Sequence, residues 1–323
     1  MRVDLGFKAL KPNPSPASGK KGLQVDAKIG MYRKINKELS GNLNAVGSDT
    51  MINLMGKWQE SFRRYYPGVT IGVEGKGSST APPALIKGTA QLGPMSRAMK
   101  DKERDEFIKR YGYAPTQVRT CMDALAVYVH KDNPIPGLTL KQVDAIFSKN
   151  RKLGFPRNLD NWGSLGIGPA AISLYGRNSA SGTYGFFKSV ALGKGDYKDT
   201  VKEQPGSAGV VSSVANDRHG IGYSGIGYKT SEVRAVPLGK EAGKFFEADL
   251  NNVIQNKYPL GRFLYLYINK TPNKEMDQLQ AEFLKFILSK EGQQDVIAAG
   301  YLPMPAKLVD RMRKELGFEP ISL

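Results

Sequence analysis

The fold class follows from residues 42–73, whose sequence is NLNAVGSDTMINLMGKWQESFRRYYPGVTIGV. The first five residues predict a short strand, and a glycine turn then leads into a run with apolar residues at helical spacing. Asp49 or Thr50 is the expected N-cap of this helix, which Pro67 ends before a second strand. A strand, a turn, a helix and a strand form a βαβ unit. This order predicts an α/β fold with ligands at the carboxyl ends of its strands.

Three Gly/Ser/Thr-rich segments each stand where a helix is expected to begin, at residues 47–51, 75–80 and 177–183. A helix N-terminus leaves backbone N–H groups unpaired and has a partial positive charge, so it attracts anions. Glycine allows the backbone to approach closely, and hydroxyl side chains add neutral donors. Arg177 stands four residues before Ser181. Three such turns in one chain predict one small oxyanion that is bound from several sides.

The third turn also has an ordinary structural explanation. The planar fork of Arg177 suits the oxygen atoms of phosphate or carboxylate, while Ser181, Gly182 and Thr183 supply hydroxyls and helix-start amides. The same residues would also make a helix N-cap beside a surface arginine, because serine and threonine are common caps. The local sequence alone leaves both interpretations open.

Composition and charge narrow the class of protein. The chain has 323 residues, enough for two domains with a substantial core, and 40% of its residues are apolar. It has no apolar run of about 18 residues, so we expect no membrane-spanning helix. The formal net charge is +17, from 47 basic and 30 acidic residues. Because the basic residues form no arginine-rich block, the charge favours a general attraction for anions over a nucleic-acid groove.

Residues 1–40 predict a basic, Pro-rich N-terminal extension. The stretch KPNPSP at residues 11–16 is typical of a flexible or polyproline-like segment, and little of the extension is expected to build a core. Residues 1–21 lack the apolar region of a secretory signal, so the chain is either intracellular or a mature form without its leader. Cys121 is the single cysteine, which excludes an internal disulfide and leaves the compartment open.

The sequence contains no catalytic constellation. Neither His130 nor His219 lies in a metal-binding or general-base spacing, so we expect no catalytic residue, no metal and no cofactor. Cys121 is expected to pack in the core. Residues 220–225 match G-x-G-x-x-G, but the residues after them are expected to stay extended, which argues against a dinucleotide site. The carboxylates of residues 101–106 are expected on a solvated helix face.

Two apolar strands are expected to carry the chain between two lobes. They are residues 123–130 and residues 262–268. Lobe I is then discontinuous, with residues 41–130 and 259–323, and lobe II contains residues 131–258.

The three turns, in their order, resemble those of the phosphate-binding subunits of ABC-type phosphate importers, the PstS-like substrate-binding proteins. The match runs from about Gly41 to Pro305. Other segments in the order of that family are VHKDNP (129–134), LT (138–139), IF (146–147), Trp162, IGY (221–223), Phe283, SKEGQ (289–293) and GY (300–301). Each segment is a weak signal alone, and the shared order is what indicates the family.

The resemblance implies a two-lobed periplasmic-binding-protein-like fold, in which two α/β lobes close on a ligand in the cleft between them. It implies a non-enzymatic protein that binds inorganic phosphate with high affinity. It also implies permease subunits of an ABC transporter as partners, a monomeric chain, no nucleic-acid partner, and a periplasmic or extracytoplasmic location.

The resemblance also implies a set of phosphate-binding residues. Carried over residue by residue, they are Thr50 and the Met51 amide in the first turn, Ser78 in the second, Ser96 with Arg97 after the next strand, and Arg177, Ser181, Gly182 and Thr183 in the third. Some relatives have an aspartate at the position of Ser96 and another near Ser179. Such a carboxylate accepts the proton of monohydrogen phosphate and repels sulfate. Asp49 is the one acid inside a binding turn here, so it is the candidate acceptor.

Two alternatives stay open. The same fold could bind another tetrahedral oxyanion such as sulfate or molybdate, or the +17 charge could serve a nucleic-acid or surface interaction.

Overall fold

The computed structural model of the protein describes residues 22–322, which contain twelve β-strands and ten α-helices. The strands are β1 (Ser40–Val46), β2 (Gly68–Glu74), β3 (Gly93–Met95), β4 (Thr116–His130), β5 (Leu138–Thr139), β6 (Ser173–Arg177), β7 (Lys202–Gln204), β8 (Gly220–Gly225), β9 (Val233–Ala235), β10 (Leu238–Glu241), β11 (Lys244–Phe246) and β12 (Gly261–Ile268). The helices are α1 (Ile52–Tyr65), α2 (Ala81–Lys87), α3 (Asp101–Tyr111), α4 (Leu140–Phe147), α5 (Gly182–Val190), α6 (Ser207–Ala215), α7 (Leu250–Ile254), α8 (Gln278–Ile287), α9 (Lys290–Ala298) and α10 (Ala306–Leu316). The predicted α/β class is confirmed.

The described residues divide into two units. The central unit consists of Asp123–Ser179 and Thr183–Arg262, from the middle of the chain. The terminal unit consists of Gly22–Met122, Ala180–Gly182 and residues 263–322.

Two long strands carry the chain from one unit to the other. β4 changes unit between Met122 and Asp123, and β12 does so between Arg262 and Phe263. A third excursion is only three residues long, because Ala180–Gly182 belongs to the terminal unit while its neighbours on both sides belong to the central unit. The predicted division into lobe I, residues 41–130 with 259–323, and lobe II, residues 131–258, stays a prediction.

The terminal unit is built on the predicted βαβ arrangement. β1 and β2 are parallel neighbours, in register from Ser40 opposite Gly68 to Val46 opposite Glu74, and α1 connects them. The residues of α1 that recur at helical spacing are buried, because one face of the helix must cover the apolar face of a sheet. They are Leu54, Met55, Trp58 and Phe62. β3 pairs antiparallel with β12 in the same unit.

The N-terminal segment packs on the terminal unit from residue 22 onward. Ile29 and Tyr32 are buried, and the Tyr32 hydroxyl donates to a carboxylate oxygen of Glu282 at 2.5 Å. The expectation that residues 1–40 contribute little to a core is therefore wrong for this part. Packing of Ile29 and Tyr32 against the terminal unit is enough to anchor this otherwise polar segment. Residues 1–21 lie outside the described residues.

In the central unit, β6 lies between β7 and β8 and is parallel to both. β8 pairs antiparallel with residues 125–129 of β4. The valines of α6 pack against tyrosines of β4 and β6. A Cβ on Gly222 would lie 2.8 Å from a methyl group of Val210 in α6, so this glycine of the G-x-G-x-x-G match serves helix packing. The residues after β8 form a short 3-10 helix, Ile226–Tyr228, so the expectation of an extended segment there is wrong.

None of the described helices is long and apolar enough to cross a membrane.

Candidate functional site

The three glycine turns meet in the terminal unit. The N–H of Gly77 donates to the carbonyl of Gly47 at 2.8 Å, which joins the second turn to the first. The N–H of Ser79 donates to the carbonyl of Ala180 at 3.2 Å, which joins the second turn to the third. The turns open the 3-10 helix Asp49–Met51 before α1, the 3-10 helix Ser78–Thr80 before α2, and α5. The prediction that each turn opens a helix is confirmed.

Two buried hydroxyls lie beside the start of α5. The N–H of Ser96 donates to Oγ of Ser78 at 3.0 Å, and the two serine Oγ atoms are 3.2 Å apart. A Cβ on Gly182 would lie 2.2 Å from Oγ of Ser78 and 2.6 Å from Oγ of Ser96. No side chain fits at Gly182 without displacing these serines. The structure therefore brings Ser78, Ser96 and Gly182 together. Ser181, which precedes Gly182 in the chain, is also buried.

The first turn is tied to the end of a strand and to the C-terminal region. The N–H of Ser48 donates to the carbonyl of Pro94 in β3 at 2.7 Å. The hydroxyl of Tyr301 donates to the carbonyl of Thr50 at 2.6 Å. Thr50 and Met51 are buried. These bonds hold the backbone of the predicted first anion-binding turn at the carboxyl end of β1.

The N-cap prediction for the first helix is wrong. Ser48 occupies the N-cap position, Asp49 and Thr50 are already inside the 3-10 helix, and this fully described turn has no side-chain capping bond. The reason is that the helix begins with a 3-10 segment, which moves its start toward the glycine. Asp49 is partly buried in this turn.

Arg97 is bound by a carboxylate that the sequence had placed in solvent. Its Nη1 and Nη2 atoms donate to the two carboxylate oxygens of Glu103 at 2.7 and 2.6 Å, and Nη2 also donates to Oγ of Ser79 at 3.2 Å. Glu103 is only 16% exposed, so the expectation of a solvated carboxylate is wrong for this residue of α3. Burial alone would raise the pKa of Glu103, but the bonds from Arg97 and the Lys100 amide hold that pKa below its ordinary value.

Because Nη1 also donates to the carbonyl of Ala98 at 3.0 Å, the terminal guanidinium nitrogens of Arg97 have acceptors within the protein. A role for Arg97 in anion binding stays a prediction, and its bond to Ser79 gives it a role in holding the second turn.

Arg177 lies in the central unit at the end of β6 and is 3% exposed. Its N–H donates to the hydroxyl of Tyr223 at 3.2 Å, and Nη1 donates to Oγ of Ser207 at 2.8 Å. Burial raises the pKa of Tyr223 to about 12, so this hydroxyl is neutral near pH 7. The alternative interpretation of Arg177 as a surface arginine is wrong, because the residue is buried and its guanidinium group bonds to Ser207 inside the protein.

Sequence reasoning missed a buried ion pair next to Thr183. Nη2 of Arg262 donates to Oγ1 of Thr183 at 3.0 Å. Nε and Nη2 of the same arginine donate to Oδ2 of Asp123 at 2.9 and 2.7 Å. All three residues belong to the central unit and are buried. The available signal was a charged residue at one end of each predicted crossover strand.

The structure distributes the predicted site residues between the two units. Asp49, Thr50, Met51, Ser78, Ser96, Arg97, Ser181 and Gly182 belong to the terminal unit, and Arg177 and Thr183 belong to the central unit. Thr183 follows Gly182 directly in the chain, so a single peptide bond joins the two groups.

The cysteine and the two histidines, for which the sequence predicted no catalytic or metal-binding role, all lie in described parts of the structure. Cys121 is buried, which confirms the expectation of a core cysteine. His130 and His219 line one cavity of about 290 Å³ in the central unit, together with Trp162. Residues 22–322 contain no group of three or more His, Cys, Asp or Glu residues that could hold a metal ion.

Comparison with known proteins identifies the family. A sequence model of the PBP superfamily domain matches residues 34–291. The chain is 54% identical over 298 residues to the phosphate-binding protein PstS of Pseudomonas aeruginosa, covering 91% of this chain and 92% of that protein. This chain belongs to the PstS family of the PBP superfamily. The PstS protein of Staphylococcus aureus is 27% identical over 277 residues, which covers 84% of this chain and 81% of that protein.

Two solved structures whose descriptions name phosphate transport have the same fold. A Clostridium perfringens protein, described as a phosphate ABC transporter substrate-binding protein with bound phosphate, matches with a TM-score of 0.71 and 25% identity. It covers 82% of this chain, and all of that chain is matched. An ABC-type phosphate transport receptor from Vibrio cholerae matches with a TM-score of 0.63 over 81% of this chain and all of the receptor chain, at 22% identity. The resemblance to PstS-like proteins and the two-lobed α/β fold are confirmed.

Proposed function

We propose that this chain binds inorganic phosphate with high affinity for uptake by an ABC transporter. One observation carries the proposal: three helix-opening turns are hydrogen-bonded to one another, and the third places Gly182 against the buried hydroxyls of Ser78 and Ser96 with no room for a side chain. Helix starts and hydroxyls are neutral donors suited to a small oxyanion. The Pseudomonas aeruginosa relative is named for phosphate binding, and the Clostridium perfringens structure contains phosphate.

Residues of both units bind one phosphate in this proposal. The terminal unit supplies Thr50, Ser78 and the amide at the start of α5, and the central unit supplies Arg177 and Thr183. The support is the connectivity of the chain, because Thr183 directly follows Ala180–Gly182 of the terminal unit and Arg177 stands only a few residues before them. An arginine fork adds charge-assisted bonds to those of the neutral donors.

Asp49 is proposed as the acceptor that distinguishes phosphate from sulfate. The support is its position, because Asp49 is the one acid inside the three turns and is partly buried there. A carboxylate at the first turn would accept the proton of monohydrogen phosphate, whereas sulfate has no proton to donate.

The protein then acts by binding alone. We propose that it is a monomer without a cofactor or catalytic activity, that its lobes close by a hinge motion, and that its partners are the permease subunits of the transporter. We place it in the periplasm or another extracytoplasmic space, and we expect no nucleic-acid partner.

Titration calorimetry of the full chain tests the proposal. Inorganic phosphate is expected to bind at least about a thousandfold more tightly than sulfate or molybdate. The proposed carboxylate acceptor binds the proton of monohydrogen phosphate, and the other two anions have no proton to pair with it. Tighter binding of sulfate or molybdate would assign the same fold to another oxyanion. Steeply salt-dependent binding of a DNA duplex without phosphate binding, or turnover of a phosphate ester, would contradict the proposal.

A further inference from the structure

The points where the chain changes unit carry three buried polar side chains of the central unit. Asp123 is the first residue of that unit after the crossing in β4, and Arg262 is its last residue before the crossing in β12. Thr183 is its first residue after the short excursion of residues 180–182. Three residues that are far apart in the sequence therefore mark three separate entries and exits of the chain.

These three side chains are bonded to one another. Arg262 donates to Oδ2 of Asp123 through two nitrogens, at 2.9 and 2.7 Å, and to Oγ1 of Thr183 at 3.0 Å. The other oxygen of Asp123 accepts the N–H of Ile226 at 3.0 Å. The ring of Phe186 covers the guanidinium group, with its centroid 5.3 Å from the guanidinium carbon. Asp123, Thr183 and Phe186 together fix the orientation of the guanidinium group.

The direction of the bond to Thr183 has a chemical consequence. A guanidinium group contains donors and no acceptor, so Oγ1 of Thr183 must accept from Arg262. The threonine hydroxyl then directs its own proton away from the arginine, as a donor. The positive charge behind the oxygen also polarises the O–H bond, which strengthens its donation to an anion. Asp123 compensates the charge, which makes a buried arginine tolerable here.

We propose that Arg262, held by Asp123, is a positioning residue for oxyanion binding that presents the Thr183 hydroxyl as a donor to phosphate. The arginine acts through Thr183 and does not itself contact the anion. This inference rests on the proposed binding of phosphate, because Thr183 is one of its proposed ligands. The inference gives a function to Asp123 and Arg262, which otherwise only neutralise each other's charge inside the protein.

A double-mutant cycle measured by phosphate calorimetry tests this inference. Its variants are Thr183→Val, the pair Asp123→Asn with Arg262→Gln, and all three changes together. The pair is removed as a unit so that no buried charge is left without its partner. The pair variant is expected to weaken phosphate binding about tenfold, and Thr183→Val at least as much. The triple variant is expected to bind no more weakly than Thr183→Val alone, since the arginine has no effect without the hydroxyl.

The matched control removes another ion pair of the central unit, Lys198 with Asp160, whose charged atoms are 2.6 Å apart. Asp160→Asn with Lys198→Gln is expected to leave phosphate affinity unchanged. If the Asp123/Arg262 variant does not fold, as judged by circular dichroism, Arg262→Lys replaces it in the cycle. A lysine keeps the charge but lacks the fork that reaches two partners at once.

The two proposals fail in different ways. The triple variant could instead lose phosphate affinity by the product of the two separate fold-losses, while the unmodified chain binds phosphate normally. That result would overturn the role of Arg262 only. Absence of phosphate binding by the unmodified chain would overturn the proposed function and this inference with it.

Discussion

The two units contribute different kinds of donor to the candidate site. In the terminal unit, apart from Arg97 with its pair Glu103, the candidate donors are neutral, namely the hydroxyls of Ser78 and Ser96 and the starts of three helices. In the central unit they are Arg177 and a threonine that accepts from Arg262. The neutral donors of the terminal unit depend on a backbone that approaches closely, and therefore on glycine. The donors of the central unit depend on buried arginines, namely Arg177 itself and Arg262 behind Thr183, the second of which is held by Asp123. The first kind should be sensitive to volume and the second to charge.

The largest effect is expected from added volume in the terminal unit. Gly182→Ala would place a methyl group 2.2 Å from Oγ of Ser78 and 2.8 Å from its Cβ, so the turns must separate. We expect phosphate binding, measured by calorimetry, to become weaker by about 3 kcal/mol. Gly56→Ala is the control, because a Cβ there meets no atom within 4 Å. Unchanged affinity in Gly182→Ala would show that the close approach of the turns is not needed for binding.

The next effect is expected from lost charge in the central unit. Arg177→Ala removes the proposed fork and should weaken phosphate binding by about 2 kcal/mol, in the range for charge-assisted bonds. Arg218→Ala is a suitable control, since that guanidinium is 75% exposed and belongs to the same unit. Calorimetry on both variants separates a local bond from the general effect of one positive charge. Near-normal binding by Arg177→Ala would count against the central part of the site.

A smaller effect is expected in selectivity. Asp49→Asn should reduce the preference for phosphate over sulfate by about 1.5 kcal/mol, because an amide neither repels sulfate nor accepts the phosphate proton as strongly. Competition calorimetry with both anions measures the ratio. Asp101→Asn, in a side chain that is 91% exposed, is the control for a change in net charge. An unchanged ratio in Asp49→Asn would exclude Asp49 as the acceptor.

The smallest effect separates stability from binding within the terminal unit. Oδ1 of Asp295 accepts from Ser61 at 2.9 Å, Oδ2 is buried without a hydrogen-bond partner among the described residues, and burial raises the pKa of this carboxyl to about 6. Because the folded pKa lies above the ordinary value of 3.8, stability falls as the pH rises between these values.

Asp295→Asn should therefore raise the free energy of unfolding at pH 7 by about 1 kcal/mol, a value discounted for partial solvation. The gain should disappear near pH 4, as measured by urea denaturation at both pH values, while phosphate affinity stays unchanged. Destabilisation at pH 7, or a gain independent of pH, would contradict this assignment.

Much of the fold was predictable because it depends on local periodicity. The βαβ unit of residues 42–73 was expected from apolar spacing and glycine turns, and β1, α1 and β2 have those positions. The short strands β9, β10 and β11 were not expected. Strands of three or four residues owe their existence to a neighbouring strand, and their sequence has no period to detect.

The candidate site shows the same limit. The glycine turns were predicted correctly as turns. Glu103 was expected on a solvated helix face, whereas it pairs with Arg97. The pair of Asp123 with Arg262 joins residues 139 positions apart, and no local pattern reports such a contact.

The sequence by itself determined that three helix starts rich in glycine and hydroxyl side chains exist, since turn chemistry and apolar periodicity are properties of a few neighbouring residues. Tertiary structure alone decided that the turns meet around Ser78, Ser96 and Gly182, and which arginines are held by carboxylates. The physical reason is distance along the chain. Hydrogen bonds and ion pairs between remote segments form only where packing brings those segments together, and packing is a property of the whole fold.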